Sequence, residues 1–402
     1  MFATPRSDVS FHPLTTGGVL SLDGSHRIWT LNETSAFIWC SLRDVGSLTE
    51  LVGRLTKAFP VSEKTASRDA QATLTSFECE GLLAGAKRIE TCDSDERWDI
   101  TPTGPALAEP RRWAVRRSFR AADHVFELRC ADRRLGEAFM RSVSHLEVRG
   151  TGPSDTQLAV LPAEGDDRTW DIYLDALRLR QGLSTNMVLP HLATVIFVRS
   201  CEALKERLLL HAAVVACGGS AVVFPGEAGS GKTTLVATLM THGYPVLSDE
   251  LAVLNVNTLC VSPLPLPMSI KLRSVEPLSC YYPGLADAAV HLRADGKKVR
   301  YLSPWRPQSP AITGGATPVA LLVFPRYEQG AENRLVDIEE TEALRRLAKT
   351  GSSNRALTHG DVAAMASLVR SNPCYELVYT NVHQAAARLE ECVLRRRLQP
   401  TA

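Results

Sequence analysis

One short stretch limits what this 402-residue chain can fold into more than any other. An apolar run at 221–225 leads into a glycine-rich turn with the pattern G-x-x-x-x-G-K-T, and a helical pattern then continues to about His242. A strand, a glycine-rich turn and a helix start form the setting in which this pattern binds phosphate. Glycines let consecutive amides curl around phosphate oxygens, and the helix N-terminus adds partial positive charge. We therefore predict a nucleotide-binding loop made of Gly226, Glu227, Ala228, Gly229, Ser230, Gly231, Lys232, Thr233 and Thr234.

An acidic pair, Asp249-Glu250, follows the next predicted strand, 244–248, only one helix beyond the loop. Strand ends on one side of a parallel sheet face the ligand crevice, so Asp249 is expected beside the γ-phosphate. Lys232 is expected to reach the β- and γ-phosphates, and Thr233, Asp249 and Glu250 are the candidate Mg²⁺ ligands. The chain has no N-K-x-D pattern that would mark guanine selectivity. ATP and Mg²⁺ are therefore the predicted cofactors.

The run 211–254 resembles the C-terminal kinase domain of HPr kinase/phosphorylase, and the likeness extends more loosely to about residue 398. It rests on His211 at the head of a strand, the loop with Lys232, and the acidic doublet after His-Gly-Tyr-Pro-Val-Leu-Ser. The resemblance implies an HPr kinase/PEP carboxykinase-like P-loop domain in which Asp249 takes the proton from, or orients, an acceptor hydroxyl. It also implies that His211 orients the acceptor or donates to a phosphate oxygen, while a purely structural role for this lone histidine stays open.

Several features depart from that family. The doublet is usually two aspartates, and the family's later glycine-rich signature is replaced by a proline-rich stretch, 263–273. In this respect the chain resembles the related kinases that are found with peptide-modifying gene clusters, including lasso-peptide kinases. Lys271 and Arg273 at its end are expected to clamp phosphate or a peptide carboxylate, with plain surface solvation as the alternative.

The first 85 residues predict a compact winged-helix-like unit. Three short strands are separated by turn signals, and three helices should follow. Asn32 and Ser47 are predicted to cap the first two, and the third is predicted to run from about Ser62. A winged helix suggests DNA binding, but residues 1–85 carry seven Lys/Arg and nine Asp/Glu, a balance of 7 − 9 = −2. A basic stripe for phosphate contact is missing, so DNA binding is not expected.

This unit resembles the PqqD-like peptide-recognition domain, chiefly through Leu31-Asn-Glu-Thr-Ser-Ala-Phe-Ile-Trp39. The resemblance implies that the sheet edge and the third helix hold the leader of a ribosomally made precursor peptide. An open edge strand offers unpaired amides and carbonyls to an extended peptide. The residues predicted to contact the leader are Ile28, Thr30, Leu74 and Phe77. Alternatively, the apolar stripe of the unit only packs on its neighbour.

The rest of the chain is organised around these two parts, which gives an α/β and α+β multidomain protein. Residues 86–112 are polar and turn-rich and are predicted to be a linker. Residues 113–208 are predicted to be an α+β scaffold, and 209–402 the P-loop catalytic domain. Predicted strands lie at 125–130, 146–149, 157–161, 171–174, 211–217, 319–324 and 375–379, and predicted helices at 189–208, 341–349, 361–370 and 383–398.

The composition excludes several functions. Lys+Arg 45 against Asp+Glu 44 gives no general attraction to nucleic acid or to anionic membranes. The ten cysteines show no C-x-x-C pair, no signal peptide is evident, and no apolar run reaches membrane-spanning length. A cytoplasmic protein with reduced thiols is therefore expected.

Together these features predict an ATP-dependent kinase that phosphorylates a Ser or Thr hydroxyl on a ribosomally synthesised, post-translationally modified peptide, whose leader is the partner. Two alternatives stay open. One is a small-molecule kinase, and the other is a non-catalytic, nucleotide-responsive module that delivers a peptide to other enzymes. The oligomeric state is open too, a homo-oligomer included.

Overall fold

The architecture was obtained as a computed structural model, which describes residues 2–25, 27–85, 99–107, 112–148, 152–305, 315–351 and 355–397. The described strands form four sheets: one of three strands near the N-terminus, one of five strands, one of eight strands and another of three strands. None of the described helices is long and apolar enough to cross a membrane.

The N-terminal unit, residues 2–85, has the predicted order of three strands and three helices. The first two helices begin at their predicted caps, Asn32 and Ser47, and Ser62 caps the third. The side chains of all three accept hydrogen bonds from backbone amides of the first helical turn. The elements are β1 (Val9–Pro13), β2 (Gly18–Leu22), β3 (Ile28–Leu31), α1 (Glu33–Ser41), α2 (Leu48–Ala58) and α3 (Glu63–Cys79), with an antiparallel sheet in the order β1-β2-β3.

The middle unit, residues 112–203, is an α+β layer as predicted. It contains β4 (Val115–Ala121), β5 (His124–Cys130), α4 (Arg133–Ser142), β6 (Thr156–Ala163), β7 (Asp166–Leu174), β8 (Leu177–Ser184) and α5 (Thr185–Ala203). The five strands pair in chain order, and only β5 and β6 are parallel because α4 connects them. The apolar faces of α4 and α5 pack with the inner side chains of this sheet.

Two predictions within the middle unit are wrong. The strand predicted at 146–149 is replaced by a 3₁₀ turn, Ser144–Leu146, and Glu147 then makes a single bridge to Phe119. The helix predicted at 189–208 begins earlier and ends at Ala203, because Leu208 already belongs to the next strand.

Part of the predicted linker is tied to the middle unit. The amide of Gly104 donates a hydrogen bond to the carbonyl of Arg178 at 2.9 Å, and the amide of Leu107 donates one to the carbonyl of Ala176 at 2.7 Å. Residues 99–107 therefore lie along the beginning of β8, whereas 86–98 and 108–111 fall outside the described residues.

The C-terminal unit, from residue 208, carries the eight-stranded sheet and half of the described α-helices. Its elements are β9 (Leu208–Cys217), β10 (Ser220–Pro225), α6 (Lys232–Thr241), β11 (Val246–Ser248), β12 (Leu251–Leu254), β13 (Cys260–Ser262), β14 (Met268–Lys271), α7 (Val275–Ser279), β15 (His291–Leu292), β16 (Lys298–Leu302), β17 (Thr317–Tyr327), β18 (Arg334–Asp337), α8 (Glu340–Lys349), α9 (His359–Ser371), β19 (Cys374–Tyr379) and α10 (Val382–Arg397). The strands and helices predicted in this unit are found, with shifts of a few residues at their ends.

The sheet is mixed rather than parallel, and its pairing brings the site together. β10 and β11 are both antiparallel to β9, so they run in the same direction and end on the same side. β9 runs the other way, which brings His211, near its start, to those same strand ends. β10 also pairs with β17 in parallel, while β14, β16 and β15 form a separate small sheet nearby.

The N-terminal sheet packs between two sets of helices. One face packs on α1, α2 and α3, and the other buries Leu14 and Val19 against α8 and α9. Thr15 also binds the Glu340 carboxylate through its amide, at 2.8 Å, and its hydroxyl, at 2.7 Å. At the far end of α8, the carbonyl of Thr350 accepts a hydrogen bond from the amide of His211 at 2.7 Å. A single helix thus spans from the N-terminal unit to the strand ends of the eight-stranded sheet.

Candidate functional site

The glycine-rich loop between β10 and α6 has the backbone that its sequence predicts. Gly229 and Gly231 adopt positive φ angles of 101° and 99°, a region that residues with a Cβ rarely occupy. A Cβ on Gly231 would also strike the hydroxyl of Tyr379, which donates a hydrogen bond of 3.0 Å to the Gly231 carbonyl. Glycine is therefore required here by both conformation and space.

Lys232 begins α6 with its amino group turned into the site. The side chain is buried, and Nζ donates to the carbonyls of Gly226 and Glu227, the latter at 3.0 Å. Nζ also lies 3.2 Å from Nε2 of His211. Burial removes the amino group from water and thereby lowers the pKa of the lysine. In this desolvated position the charge of the ammonium group interacts strongly with an anion.

His211 lies against this lysine rather than free in the cleft. Burial, followed by the charge of Lys232, lowers the pKa of the imidazole, which favours the neutral ring at neutral pH. Nε2 then accepts from the lysine, so Nδ1 carries the proton and faces Oε1 of Glu250 at 3.7 Å. The histidine therefore orients Lys232, and its predicted contact with acceptor or phosphate stays a prediction.

Asp249 is the most perturbed acid of the site. It follows β11 directly, only 7% of its surface is exposed, and its Oδ1 atom has no hydrogen-bond partner. Burial and the charge of Glu250 raise the pKa of Asp249 to about 7, although a hydrogen bond from Thr233 acts in the opposite direction. A carboxylate with a pKa near neutral pH is suited to take up a proton, and a buried unpaired oxygen is costly unless a function uses it.

The three predicted magnesium ligands line one cleft. Thr233, Asp249 and Glu250 all face it, and Glu250 is exposed. Within the described ranges, no group of three or more His, Cys, Asp and Glu side chains is arranged to hold a metal by itself. Two carboxylates and a hydroxyl nevertheless fit Mg²⁺, which usually keeps several waters and takes further ligands from substrate phosphates.

Four cations besides Lys232 line the same cleft as the acidic pair. The predicted Lys271 ends β14 and the predicted Arg273 follows it. The hairpin between β15 and β16 adds Arg293 and Lys297, which sequence reasoning missed. Burial lowers the pKa of Lys271, and the three other cations lower it further. Such crowding of positive charge favours a polyanion, and the triphosphate of a nucleotide is one. The signal in the sequence was the Asp-Gly turn flanked by cations at 293–298.

The nine predicted loop residues divide between two tasks. Gly226, Glu227 and Ser230 shape the turn: the Ser230 amide donates to the Glu227 carbonyl, and the carbonyls of the first two hold Lys232. The other six line the cleft, namely Ala228, Gly229, Gly231, Lys232, Thr233 and Thr234. The Thr234 hydroxyl is already engaged, since it donates to Oγ of Ser274 at 3.1 Å.

The edge predicted to hold a peptide is open in the described part of the chain. There, β3 pairs with β2 alone, so its outer edge has no strand partner. Thr30 is exposed and Leu74 is half-buried. Ile28 faces the C-terminal unit and packs against the cluster formed by α8 and α9. The Ile28 side chain therefore contributes to the contact between the N-terminal and C-terminal units. This agrees with the alternative expectation that apolar residues of the N-terminal unit pack on its neighbour.

The prediction for Phe77 is wrong as a peptide contact. Its ring is buried in the N-terminal core, edge-to-face with Trp39 at a centroid distance of 5.2 Å. Trp29, which was not among the predicted leader contacts, packs like Leu74 against the core of the N-terminal unit, and its Nε1 donates to Glu80 at 2.9 Å. The alternation of side chains along β3 predicts this, because residues 28 and 30 share one face and residue 29 points to the other.

Comparisons with known proteins concern this same unit. Residues 17–83 match the family model of coenzyme PQQ synthesis protein D (PqqD). Among solved structures, the chain is similar to TbiB1 in complex with the TbiA(beta) leader peptide, at 20% identity over 21% of this chain and 99% of that chain, with a TM-score of 0.19. No curated protein matches the chain. The PqqD likeness of the N-terminal unit is confirmed, while the likeness of the C-terminal unit to P-loop kinases stays a prediction.

Proposed function

We propose that this protein is an ATP-dependent kinase that phosphorylates a Ser or Thr hydroxyl of a ribosomally made precursor peptide, whose leader binds the N-terminal unit. The observation that carries the proposal is the buried Asp249 carboxyl, with one unpaired oxygen, in a glycine-loop cleft shared with Lys232 and lined by further cations. The peptide partner is supported by the PqqD match at 17–83 and by the open edge of β3.

In this proposal, one group of residues neutralises the charge of the phosphates and another residue accepts the proton of the hydroxyl. Loop amides and Lys232 stabilise the negative charge of the transferring phosphoryl group, and Arg273 and Lys271 neutralise the rest of the polyphosphate. Mg²⁺, held through Thr233 and the acidic pair, would supply further neutralisation. The hydroxyl oxygen forms a new bond to the γ-phosphorus, the bond to the departing ADP breaks, and Asp249 takes the hydroxyl proton.

The test is transfer of labelled γ-phosphate from ATP by the full-length protein, with Mg²⁺ and with candidate precursor peptides encoded beside its gene. Phosphopeptide is the expected product, and Lys232→Ala should abolish it while the peptide still binds. A labelled small metabolite without phosphopeptide would point to a small-molecule kinase. Peptide binding without any transfer would contradict catalysis and leave a binding module.

A further inference from the structure

A second cavity adjoins the phosphate cleft on the side of the acidic pair. Its volume is about 110 Å³, and its walls are mostly apolar. α4 and α5 of the middle unit supply Phe139, Ala193 and Phe197, and Leu266 and Tyr301 form the opposite wall. An apolar cavity of roughly 150 Å³ takes up benzene. This cavity is therefore of the size that one aromatic or branched aliphatic side chain fills.

The two cavities share part of their walls. Glu250, Ser269 and Arg293 line both of them. A small third pocket is lined by Asp249, which also lines the phosphate cleft, and by Phe197, which also lines the apolar cavity. An acceptor hydroxyl beside Asp249 therefore has its neighbouring atoms at the entrance of the apolar cavity.

The middle unit is fixed to the loop that closes this cavity. Nε2 of His145 donates to the carbonyl of Pro265 at 2.7 Å, and the Ser303 hydroxyl donates to Nδ1 at 3.4 Å. Burial lowers the pKa of His145, which keeps the ring neutral and able to make both contacts at neutral pH. The neighbouring Leu266 is thereby held opposite α4 and α5.

We propose that this cavity binds the apolar side chain next to the acceptor hydroxyl of the substrate, so that the middle unit selects acceptors with an aliphatic or aromatic neighbour. The proposal rests on the proposed kinase function for the identity of the reacting group. It gives the middle unit a recognition task in addition to its scaffold role. Burial of a leucine-sized side chain is worth on the order of tenfold to a hundredfold in preference.

The probes are two blocked tripeptides, acetyl-Leu-Ser-Leu-amide and acetyl-Asn-Ser-Asn-amide, tested on the full chain. Transfer from ATP gives kcat/KM, and saturation-transfer NMR gives binding without catalysis. The wild type should favour the leucine peptide by about tenfold or more. Ala193→Phe, which fills the cavity, should remove that preference and leave the asparagine peptide unchanged. Ala387→Phe is the matched control, because it makes the same change on the exposed face of α10.

A second variant changes the size of the cavity instead of filling it. Phe197→Ala enlarges the cavity and should shift preference towards a tryptophan-flanked serine peptide. ATP binding and thermal unfolding of both variants report whether the fold is retained.

The outcomes separate this proposal from the kinase assignment. Equal transfer to both peptides, unaffected by Ala193→Phe or Phe197→Ala, would overturn the cavity proposal and leave the kinase intact. If neither peptide is phosphorylated, NMR decides: selective binding of the leucine peptide that Ala193→Phe abolishes supports the cavity, whatever the transfer assay with precursor peptides says of the kinase assignment. Binding of both peptides to the same extent, or of neither, would overturn it.

Discussion

The buried carboxyl of Asp249 links the stability of the fold to the proposed catalysis in a way that can be measured. Its pKa is raised from 3.8 to about 7, chiefly by burial and then by the charge of Glu250. The folded protein therefore holds a proton between about pH 4 and 7 that the unfolded chain has released, and the free energy of unfolding falls as the pH rises through this window. At about 1.4 kcal/mol per pKa unit, the accumulated cost by pH 8 is on the order of 4 kcal/mol.

Asp249→Asn keeps the shape of the side chain but cannot ionise, so it should escape this cost. We expect the variant to melt at a higher temperature than the wild type at pH 8, with a gap that narrows towards pH 5. The same variant should lose phosphoryl transfer yet still bind ATP, because an amide cannot take the hydroxyl proton. Higher stability together with lost activity would distinguish a chemical role from misfolding.

The assay is thermal unfolding from pH 5 to 8, combined with nucleotide binding and transfer. Asp123→Asn, in the exposed turn between β4 and β5, is the control and should follow the wild type. A melting difference that stays constant with pH would refute the raised pKa of Asp249. Undiminished transfer by Asp249→Asn would refute its role as proton acceptor.

Four further outcomes are expected. Lys232→Ala should lower turnover by about 10²-fold or more in the transfer assay, and near-normal turnover would contradict the assigned role of this lysine. Glu250→Gln removes the charge that helps to raise the pKa of the buried acid, so it should move the pH dependence of unfolding to lower pH and weaken the dependence of transfer on Mg²⁺. Lys297→Ala should weaken ATP binding in calorimetry whereas the adjacent Lys298→Ala should not, since only the first lines the cleft; equal effects would show that net charge alone matters. Thr30→Pro should weaken leader-peptide binding in fluorescence anisotropy while ATP binding is kept, and unchanged peptide affinity would exclude the β3 edge.

Local signals in the sequence were enough for the elements that carry the proposed chemistry. The cap at Asn32 and the turn before Lys232 are each specified by a few consecutive residues, and the structure has both where they were predicted. The acidic pair was correctly placed at a strand end, although the sheet proved to be mixed. β10 and β11 both run antiparallel to β9, so their C-terminal ends lie on the same side of the sheet. Asp249 therefore lies where a parallel sheet would also have placed it.

What the sequence did not show depends on contacts between distant segments. Arg293 and Lys297 reach the cleft only because β16 pairs with both β14 and β15. Phe77 was misassigned because helical spacing identifies an apolar stripe but does not say which part of it the core buries. β4 was missed because three exposed arginines, Arg116, Arg117 and Arg120, interrupt its apolar pattern, and Arg117 does so on the same face as Val115 and Phe119.

The way the units are joined changes how leader binding would assist transfer. The sequence suggested a flexible linker that tethers one domain to another, yet the N-terminal sheet buries Val19 under α8 and α9 and is held by the Thr15–Glu340 contacts. A leader bound on β3 would thus sit at a fixed place relative to the cleft. The peptide between leader and acceptor then becomes the tether, and its length, rather than any motion of residues 86–112, would set the effective concentration of the hydroxyl at Asp249. Removal of the N-terminal unit would also uncover the apolar surface of α8, whose far end contacts the amide of His211. A point change on the β3 edge is therefore a cleaner probe of leader recognition than truncation, because it leaves that surface covered.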